Sequence, residues 1–401
     1  MKEVYIVDGI RTAVGNHAGA LKSVRPDDLA AMLIREIVRK NFEKNSISSE
    51  LIEDVILGNA NGAGEENRNV ARMSVLLSGL PVSVGGNTVN RLCGSGMQAF
   101  IDGVRAVRNG EGECYLTGGT ESMTRAPFVV GKNADPFGRK AEMYDTTIGW
   151  RFTNPKLAKL FHPYSMGETA ENLAEQYKIS RESQDEFAFD SQMKAKKAIE
   201  SGKFKDEIFP VEIITKKDKI LFDTDEFPRF DTSMEKLSKL KPAFREGGTV
   251  TAGNSSGIND GASLLMIASE EFVKKHNLIP RARFVSSAIA GVDPACMGIG
   301  PVPASKKALS RAGLELKNID LIELNEAFAA QSLACIEELK LEKEIINING
   351  GAIALGHPLG SSGSRILITL LHEMEKQNKK TGLATMCIGV GQGIATIIER
   401  V

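Results

Sequence analysis

Cysteine is scarce in this sequence, and its spacing excludes both a disulfide framework and a thiol-based metal site. The 401 residues contain five cysteines and no C-x-x-C pair. An odd number of irregularly spaced cysteines indicates a reducing compartment, in which thiols are either buried or chemically active. The five histidines also lack the spacing of metal ligands, so we expect no metal site.

The sequence has no excess charge of either sign and no long apolar run. Its 50 basic and 51 acidic residues give a net charge of −1, which argues against a dedicated nucleic-acid binder. No apolar run approaches the roughly 20 residues that a membrane-spanning helix needs. The first residues lead into a strand pattern without the features of a secretory signal. We therefore expect a cytoplasmic protein that acts away from the membrane.

Hydrophobic residues are abundant, and they follow the alternation that is typical of an α/β fold. Strand-like runs rich in Val and Ile alternate with amphipathic helical patterns. The two ends of the chain also resemble each other at an offset of 266 residues, because the pattern around Val55 returns around Leu321. At the same offset, the turn at Cys93 returns at Leu359. This weak repeat indicates two copies of one α/β unit.

The stretch from Glu121 to Gly253 differs in character from both repeats. It contains the single tryptophan, Trp150, several Pro-containing turns, and helical patterns at 166–178 and 180–201. We interpret it as an insertion of loops and helices. Insertions of this length in α/β enzymes commonly cover an active site.

Cys93 lies in a Gly-rich turn between a strand pattern and a helical pattern. It is followed by Gly94, Ser95 and Gly96. The positive end of the following helix would lower the pKa of the thiol, and the glycines would let a substrate approach the sulfur. A cysteine that only packs in the interior is the competing interpretation, because free cysteine is commonly buried.

Three further motifs share this turn-rich style. His357 stands between Gly356 and Pro358, where a helix is disfavoured and the imidazole is presented to a neighbour. Cys387 precedes a Gly-rich loop whose spacing is not that of a G-x-G-x-x-G nucleotide site. Asn325 follows a strand pattern and is either a helix N-cap or a functional amide.

A nucleophilic Cys with a His and an Asn is also the set of groups found in cysteine proteases. A protease has no use for a second thiol such as Cys387 at the end of its own strand. Two thiols and one imidazole suit carbon–carbon bond chemistry, in which one sulfur carries an acyl group and the other transfers a proton.

Together these motifs resemble the thiolases, which are coenzyme A-dependent acyltransferases. The motifs are residues 90–97, 325–329, 350–360 and 387–393, and the similarity extends over essentially the whole chain. The resemblance implies the α/β thiolase fold, with two similar βαβαβαββ halves in a five-layer α-β-α-β-α arrangement and an inserted loop domain. The N-terminal half is then residues 1–121 with 254–275, the loop domain is 122–253, and the C-terminal half is 276–401.

The resemblance also implies a role for each candidate residue. Cys93 would attack the 3-oxo carbon of a 3-oxoacyl-CoA as a thiolate formed with the help of His357. Cys387 would protonate the acetyl-CoA enolate that leaves. The thioester oxygen would meet His357 and a water held by Asn325, and the backbone N–H groups of Cys93 and Gly389 would form a second oxyanion hole. The acyl group would then pass to free CoA in a ping-pong cycle.

Coenzyme A and acyl-CoA are, by the same resemblance, substrates, and no permanently bound cofactor is expected. The residues that match the family's pocket for the pantetheine and nucleotide of CoA are Met166, Arg229, Phe244, Ala252, Ser256, Met297 and Phe328. As in the family, we expect a homodimer or a homotetramer.

One departure from the family's pattern concerns the acyl chain. Many acetoacetyl-CoA thiolases have His before the Met-Gly of the loop domain, where this chain has Ser165. The segments around Trp150 and Met297 are closest to 3-oxoadipyl-CoA thiolases. We therefore predict that 3-oxoadipyl-CoA or a medium-length 3-oxoacyl-CoA is preferred to acetoacetyl-CoA. The alternatives are an acetoacetyl-CoA-specific acetyltransferase and a non-catalytic, thiolase-like lipid-binding protein.

A dicarboxylic acyl chain would also need a cation in its pocket. An unpaired buried charge is costly, so the far carboxylate of the chain requires a partner. The insertion offers Arg125, Lys132, Arg151, Lys159 and His162, which the sequence does not rank. We expect most of these five side chains to be solvated.

Overall fold

The computed structural model describes residues 2–133, 135–214 and 218–401 of the chain. Over those residues it has one large mixed sheet, two small sheets and twelve α-helices. The strands are β1 (Val4–Thr12), β2 (Gly15–Asn16), β3 (Asp54–Gly58), β4 (Gly85–Val89), β5 (Cys114–Ser122), β6 (Phe128–Val130), β7 (Met143–Asp145), β8 (Ile208–Phe209), β9 (Val211–Ile214), β10 (Lys219–Phe222), β11 (Asn259–Ser269), β12 (Ala282–Gly291), β13 (Leu321–Leu324), β14 (Thr381–Ile388) and β15 (Gln392–Arg400). The helices are α1 (Pro26–Asn41), α2 (Val70–Ser78), α3 (Ser95–Asn109), α4 (Pro155–Leu160), α5 (Met166–Gln176), α6 (Arg181–Glu200), α7 (Met234–Ser238), α8 (Glu270–Lys275), α9 (Pro301–Ala312), α10 (Ala329–Leu339), α11 (Ala352–Leu355) and α12 (Leu359–Lys376).

The large sheet consists of two halves with the same strand order. The N-terminal half runs β1-β11-β5-β3-β4, and the C-terminal half runs β12-β15-β14-β13. In each half the first three strands are antiparallel to their neighbours and the next pair, β5 with β3 or β14 with β13, is parallel. The halves meet between β1 and β12, where only two residue pairs are in register. The repeat predicted from the sequence is confirmed, because β3, α3 and β5 correspond to β13, α12 and β14.

Helices α3 and α12 lie side by side between the two halves of the sheet. α12 contacts β5 and β11 on one side and β13 and β14 on the other. α1 and α2 cover the outer face of the N-terminal half, and α9 packs on β12 and β15. Apolar clusters fill the three spaces between these layers. The five-layer α-β-α-β-α arrangement is therefore confirmed.

The first turns of α3 and α12 approach each other closely because both carry glycine at the contact. A Cβ on Gly96 would lie 2.6 Å from Ser364 Oγ, and a Cβ on Gly363 would lie 2.4 Å from the backbone nitrogen of Met97. Such distances leave no room for a side chain. From Gly360 to Met374 every residue of α12 is buried, as expected for a helix that is covered on both sides. The close approach brings the segments that precede the two helices together.

The chain between β5 and β11 contributes helices α4–α7 and the short strands β6–β10 within the described residues. Strand β8 pairs in parallel with the end of β1. Arg11, only 1% exposed, bonds Glu207 at 2.6 Å and Asp225 at 2.7 Å. Because these carboxylates neutralise the buried guanidinium, they fasten the inserted segment to the N-terminal half of the sheet. In the described part of the chain, no helix is both long and apolar enough to cross a membrane.

Candidate active site

Three segments converge at the N-terminal ends of α3 and α12. The turn with Cys93 precedes α3, the segment with His357 joins α11 to α12, and the loop with Gly389 follows β14. A Cβ on Gly94 would lie 2.6 Å from Ile388 Cδ1, so the Cys93 turn packs directly against the end of β14. The arrangement places a thiol, an imidazole and a second thiol at one end of the sheet.

The Cys93 thiol is half-buried, and its environment acts on its pKa in two directions. Loss of surrounding water raises the pKa to about 11, while the backbone N–H groups of Gly389 and Cys93 itself lower it by pointing at the sulfur. The sequence predicts a lowered pKa from the following helix, and this prediction is wrong in direction because burial outweighs the donors. The resting form is therefore the neutral thiol, and attack on a substrate requires a base.

Gly389 supplies a backbone donor at a position with little room for a side chain. A Cβ there would lie 3.3 Å from both Leu92 Cδ1 and Met166 Sδ. Its N–H and that of Cys93 both face the sulfur. Two converging backbone donors are what an oxyanion hole requires, because they stabilise negative charge without rearrangement.

The imidazole of His357 is buried and held through one nitrogen. Its Nδ1 lies 2.6 Å from Ser362 Oγ, and that hydroxyl donates to the Pro358 carbonyl at 2.8 Å. Since the hydroxyl proton is already used, Nδ1 carries the hydrogen and donates to Ser362 Oγ. Nε2 is then a bare acceptor, and it has no partner among the described residues.

Burial and the positive charge of Arg365 together lower the pKa of His357 to about 3. The imidazole is therefore neutral at physiological pH, so its free Nε2 can accept a proton. Because the Cys93 thiol is also neutral, the free enzyme holds both groups uncharged. Charge separation between them is then expected only when a substrate is present.

We predict that Ser362→Ala lowers kcat on the order of 10-fold, a part of the 10²–10⁴-fold that a general base contributes. The substitution removes the acceptor that fixes the tautomer and orientation of His357. Ser361→Ala is the matched control, since Ser361 bonds Ser263 and not the imidazole. Steady-state kinetics on a 3-oxoacyl-CoA measure the effect. Equal kcat values for the two variants would contradict the assignment.

Cys387 lies at the end of β14 and is 1% exposed. Burial raises its pKa well above the ordinary value of a thiol, and the nearby Cys93 raises it further because two thiolates would repel each other. The second thiol is therefore protonated at neutral pH. A buried, protonated thiol beside the first one is suited to donate a proton to a carbanion.

Asn325 has a buried amide with no partner among the described residues. The residue is 1% exposed, its backbone N–H donates to Thr385 O at 3.0 Å, and neither side-chain atom is bonded. Of the two interpretations that the sequence leaves open, the helix N-cap is wrong, because α10 begins four residues later with Phe328 at its N-cap. Buried amides are nearly always hydrogen-bonded, so this one indicates a site for water or substrate.

Several residues predicted to bind CoA surround Cys387. Met166, Met297 and Phe328 pack with it in one small apolar cluster. The ring of Phe244 meets that of Phe328 edge-on, with 6.0 Å between the centroids. The structure thus brings these four residues to the thiols.

The remaining predicted CoA contacts lie toward the surface. Ser256 donates its backbone N–H to Ala327 O at 2.9 Å, and Ala252 is exposed in the turn before it. Arg229 is exposed and lies over the ring of Phe227, with 6.0 Å to the centroid.

Ser165, where the chain departs from many acetoacetyl-CoA thiolases, has a structural role. It is the N-cap of α5, and Glu168 completes a capping box by accepting from the Ser165 backbone N–H at 2.8 Å. The hydroxyl is therefore engaged with the helix terminus.

Glu121, for which the sequence motifs indicate no role, lies beside the site. This buried carboxylate accepts backbone N–H groups from Ala60 at 2.7 Å, Asn61 at 3.1 Å and Gly360 at 2.8 Å. Burial raises its pKa to about 7. The contacts join the loop after β3 to the start of α12, across the two halves of the sheet. In the sequence, the one feature that indicates a role for Glu121 is its position as an acidic residue at the end of an apolar strand pattern.

Comparison with known proteins gives one consistent result. The family model described as "Thiolase, N-terminal domain" matches residues 4–271, and "Thiolase, C-terminal domain" matches residues 278–400. A 3-oxoadipyl-CoA/3-oxo-5,6-dehydrosuberyl-CoA thiolase of Escherichia coli is 55% identical over 404 residues and covers 100% of both chains.

Solved structures give the same picture. The acetyl-CoA acetyltransferase of Bacillus anthracis has a TM-score of 0.94 and 42% identity, over 100% of this chain and 99% of that one. Human mitochondrial 3-ketoacyl-CoA thiolase in complex with CoA has a TM-score of 0.91 and 42% identity, over 100% of this chain and 98% of the human one.

Proposed function

The chain belongs to the thiolase family, and from that membership we propose that its substrate is 3-oxoadipyl-CoA. It is a CoA-dependent acyltransferase that cleaves a 3-oxoacyl-CoA with CoA to acetyl-CoA and a shortened acyl-CoA, or catalyses the reverse condensation. The mechanism below is supported by two neighbouring thiols, of which that of Cys93 lies just before α3, and by the close approach of α3 to α12, just before which His357 has a free Nε2.

The first step of the proposed mechanism is attack by Cys93 on the 3-oxo carbon. The thiol proton passes to Nε2 of His357 as the sulfur–carbon bond forms. The oxygen of the attacked carbonyl then becomes negative, and the N–H groups of Cys93 and Gly389 stabilise it.

In the second step the carbon–carbon bond breaks. Its electron pair moves onto the acetyl-CoA fragment as an enolate, whose thioester oxygen meets the new Nε2–H of His357 and a water held by Asn325. Cys387 protonates the enolate carbon, so acetyl-CoA leaves and the acyl group stays on Cys93. Free CoA then attacks this acyl thioester. Its thiol proton returns to Cys387, and the imidazolium returns the other proton to Cys93.

We propose that the CoA part of the substrate lies along Met166, Phe244, Phe328, Met297 and the turn with Ser256 and Ala252, with Arg229 near its phosphates. The apolar cluster around Cys387 and the exposed guanidinium support this direction. A solved relative of the same fold is in complex with CoA. No permanently bound cofactor takes part in this scheme.

The assembly, location and domain division are further parts of the proposal. We propose a homodimer or homotetramer in the cytoplasm, as the family resemblance implies. We also propose that residues 122–253 form a loop domain over the site, between an N-terminal half of residues 1–121 with 254–275 and a C-terminal half of residues 276–401.

Two observations support 3-oxoadipyl-CoA as the substrate. The E. coli relative that is 55% identical over the whole chain is named for this thioester and a related one. In this chain Ser165 caps α5 at the position where many acetoacetyl-CoA thiolases carry His, and a serine side chain is smaller than a histidine side chain.

We predict that kcat/KM for 3-oxoadipyl-CoA exceeds that for acetoacetyl-CoA by at least about 10-fold, equal to about 1.4 kcal/mol of transition-state preference. Thiolysis of both thioesters is measured at one fixed CoA concentration, with 3-oxohexanoyl-CoA as the uncharged substrate of medium length. A 10-fold preference for acetoacetyl-CoA would instead make the protein an acetyl-CoA acetyltransferase, like its Bacillus relative.

A further inference from the structure

The structure ranks the five cations that the insertion offers to a dicarboxylic acyl chain. The side chains of Lys132, Lys159 and His162 are exposed. Arg125 is bound through two nitrogens to the carboxylate of Glu65, so its charge is already neutralised. These four side chains are solvated or occupied.

Arg151 differs from the other four. It is half-buried, and its Nη2 and Nη1 donate to the carbonyl oxygens of Asn61 at 3.2 Å and Thr146 at 3.4 Å. No carboxylate of the described residues lies within ion-pair distance of it. Its positive charge is therefore uncompensated, and donors of the guanidinium remain for a further partner.

The support under Arg151 is joined to the Cys93 turn. Asn61 also donates its Nδ2 to Thr146 Oγ1 at 3.1 Å. The residue before it, Ala60, accepts from Asn90 Nδ2 at 2.9 Å, and Asn90 Oδ1 accepts from the N–H of Leu92, which precedes Cys93. The guanidinium is thus fixed relative to the nucleophile through a short series of hydrogen bonds.

The residue before Arg151 is joined to the segment that leads into α5. Trp150 Nε1 donates to Tyr164 O at 2.9 Å, two residues before Met166, whose sulfur lies beside Gly389. Residues 150 and 151 therefore connect the Cys93 turn with the start of α5.

We propose that Arg151 binds the far carboxylate of the acyl chain and determines the preference for a dicarboxylic substrate. This inference rests on the proposed function. In 3-oxoadipyl-CoA the carboxylate lies three carbons beyond the carbon that Cys93 attacks. A guanidinium held by carbonyl oxygens alone matches a carboxylate in charge and in planar geometry, and it removes the cost of burying that carboxylate unpaired.

The experiment compares Arg151→Met with the wild-type enzyme on 3-oxoadipyl-CoA and on 3-oxohexanoyl-CoA, which has the same chain length and a methyl end. The variant is expected to lose about 10- to 100-fold in kcat/KM with 3-oxoadipyl-CoA, mainly through KM. With 3-oxohexanoyl-CoA it should stay within about 3-fold of wild type. Arg151→Lys should lose less, because an ammonium keeps the charge without the bidentate geometry.

Lys159→Met is the control, since it removes an exposed cation of the same insertion. It should leave kcat/KM unchanged for both substrates. Equal losses of Arg151→Met on both substrates, or no loss on either, would overturn the assignment. If thermal melting shows that Arg151→Met is poorly folded, Arg151→Lys provides the test. Its kcat/KM should then fall for 3-oxoadipyl-CoA relative to 3-oxohexanoyl-CoA. A wild-type enzyme without a preference for 3-oxoadipyl-CoA would refute the proposed substrate itself, and that failure is visible before any variant is made.

Discussion

Cys93→Ser is expected to lower turnover by at least about 10³-fold and to abolish the acyl-enzyme. The serine hydroxyl is far less acidic than a thiol and a poorer nucleophile, and the neutral His357 beside it is a weak base. The backbone donors of Gly389 and residue 93 remain in place, so the loss isolates the nucleophile. Disappearance of the enolate absorbance of acetoacetyl-CoA in the presence of CoA measures turnover.

Cys296→Ser is the matched control for this variant. Cys296 is also half-buried, and its thiol donates to Gln176 Oε1 at 3.4 Å, a bond that a serine can keep. It should retain wild-type turnover. Activity of Cys93→Ser within 10-fold of this control would mean that the acyl group is carried elsewhere. A non-catalytic, lipid-binding protein would instead show no turnover of acetoacetyl-CoA in the wild type, in Cys296→Ser or in Cys93→Ser.

Cys387→Ala is expected to lower carbon–carbon cleavage by about 10²–10⁴-fold while Cys93 is still acylated by acetyl-CoA. The substitution removes the proton donor that the enolate carbon requires. Acylation of Cys93 by acetyl-CoA should slow but persist, because there Cys387 only protonates a departing CoA thiolate, which is far less basic than an enolate carbon. The buried thiol is held protonated by its raised pKa, and no other group of the described apolar cluster around it titrates. Thiolysis rates report cleavage, and mass spectrometry of the intact protein reports acylation.

Cys335→Ala controls for the loss of a buried thiol. Cys335 is also fully buried, but it lies on α10 and donates to Gly298 O. Both variants should lose similar thermal stability, and only Cys387→Ala should lose cleavage. If Cys387→Ala cleaves at nearly the wild-type rate, its thiol is only part of the packing.

The fold could be predicted from the sequence to the extent that it rests on local periodicity. The strands and helices around the repeat follow from apolar patterns, and the resemblance supplied their stacking. The start of α12 could not be predicted, because the helix begins at Leu359, within the segment that the sequence indicates is a turn. Its first turn is rich in Gly and Ser, which are weak helix formers, and packing against α3 overrides that propensity.

The candidate residues of the site could be predicted by their motifs, but their electrostatics could not. Burial decides the direction of the Cys93 pKa, and burial is a tertiary property. The role of Glu121 could not be predicted for the same reason, since its carboxylate accepts from the Gly360 N–H across 239 residues of sequence. Ser362 is only five residues from His357, yet nothing in the sequence distinguishes it from Ser361 and Ser364.

The most direct test of the central claim is to locate the acetyl group after the wild-type protein is mixed with acetyl-CoA. Proteolysis and mass spectrometry should find it on the peptide with Cys93, in the wild-type protein and in Cys387→Ala, and on no peptide of Cys93→Ser. An acetyl group on Cys387 instead would reverse the roles of the two thiols and contradict the account.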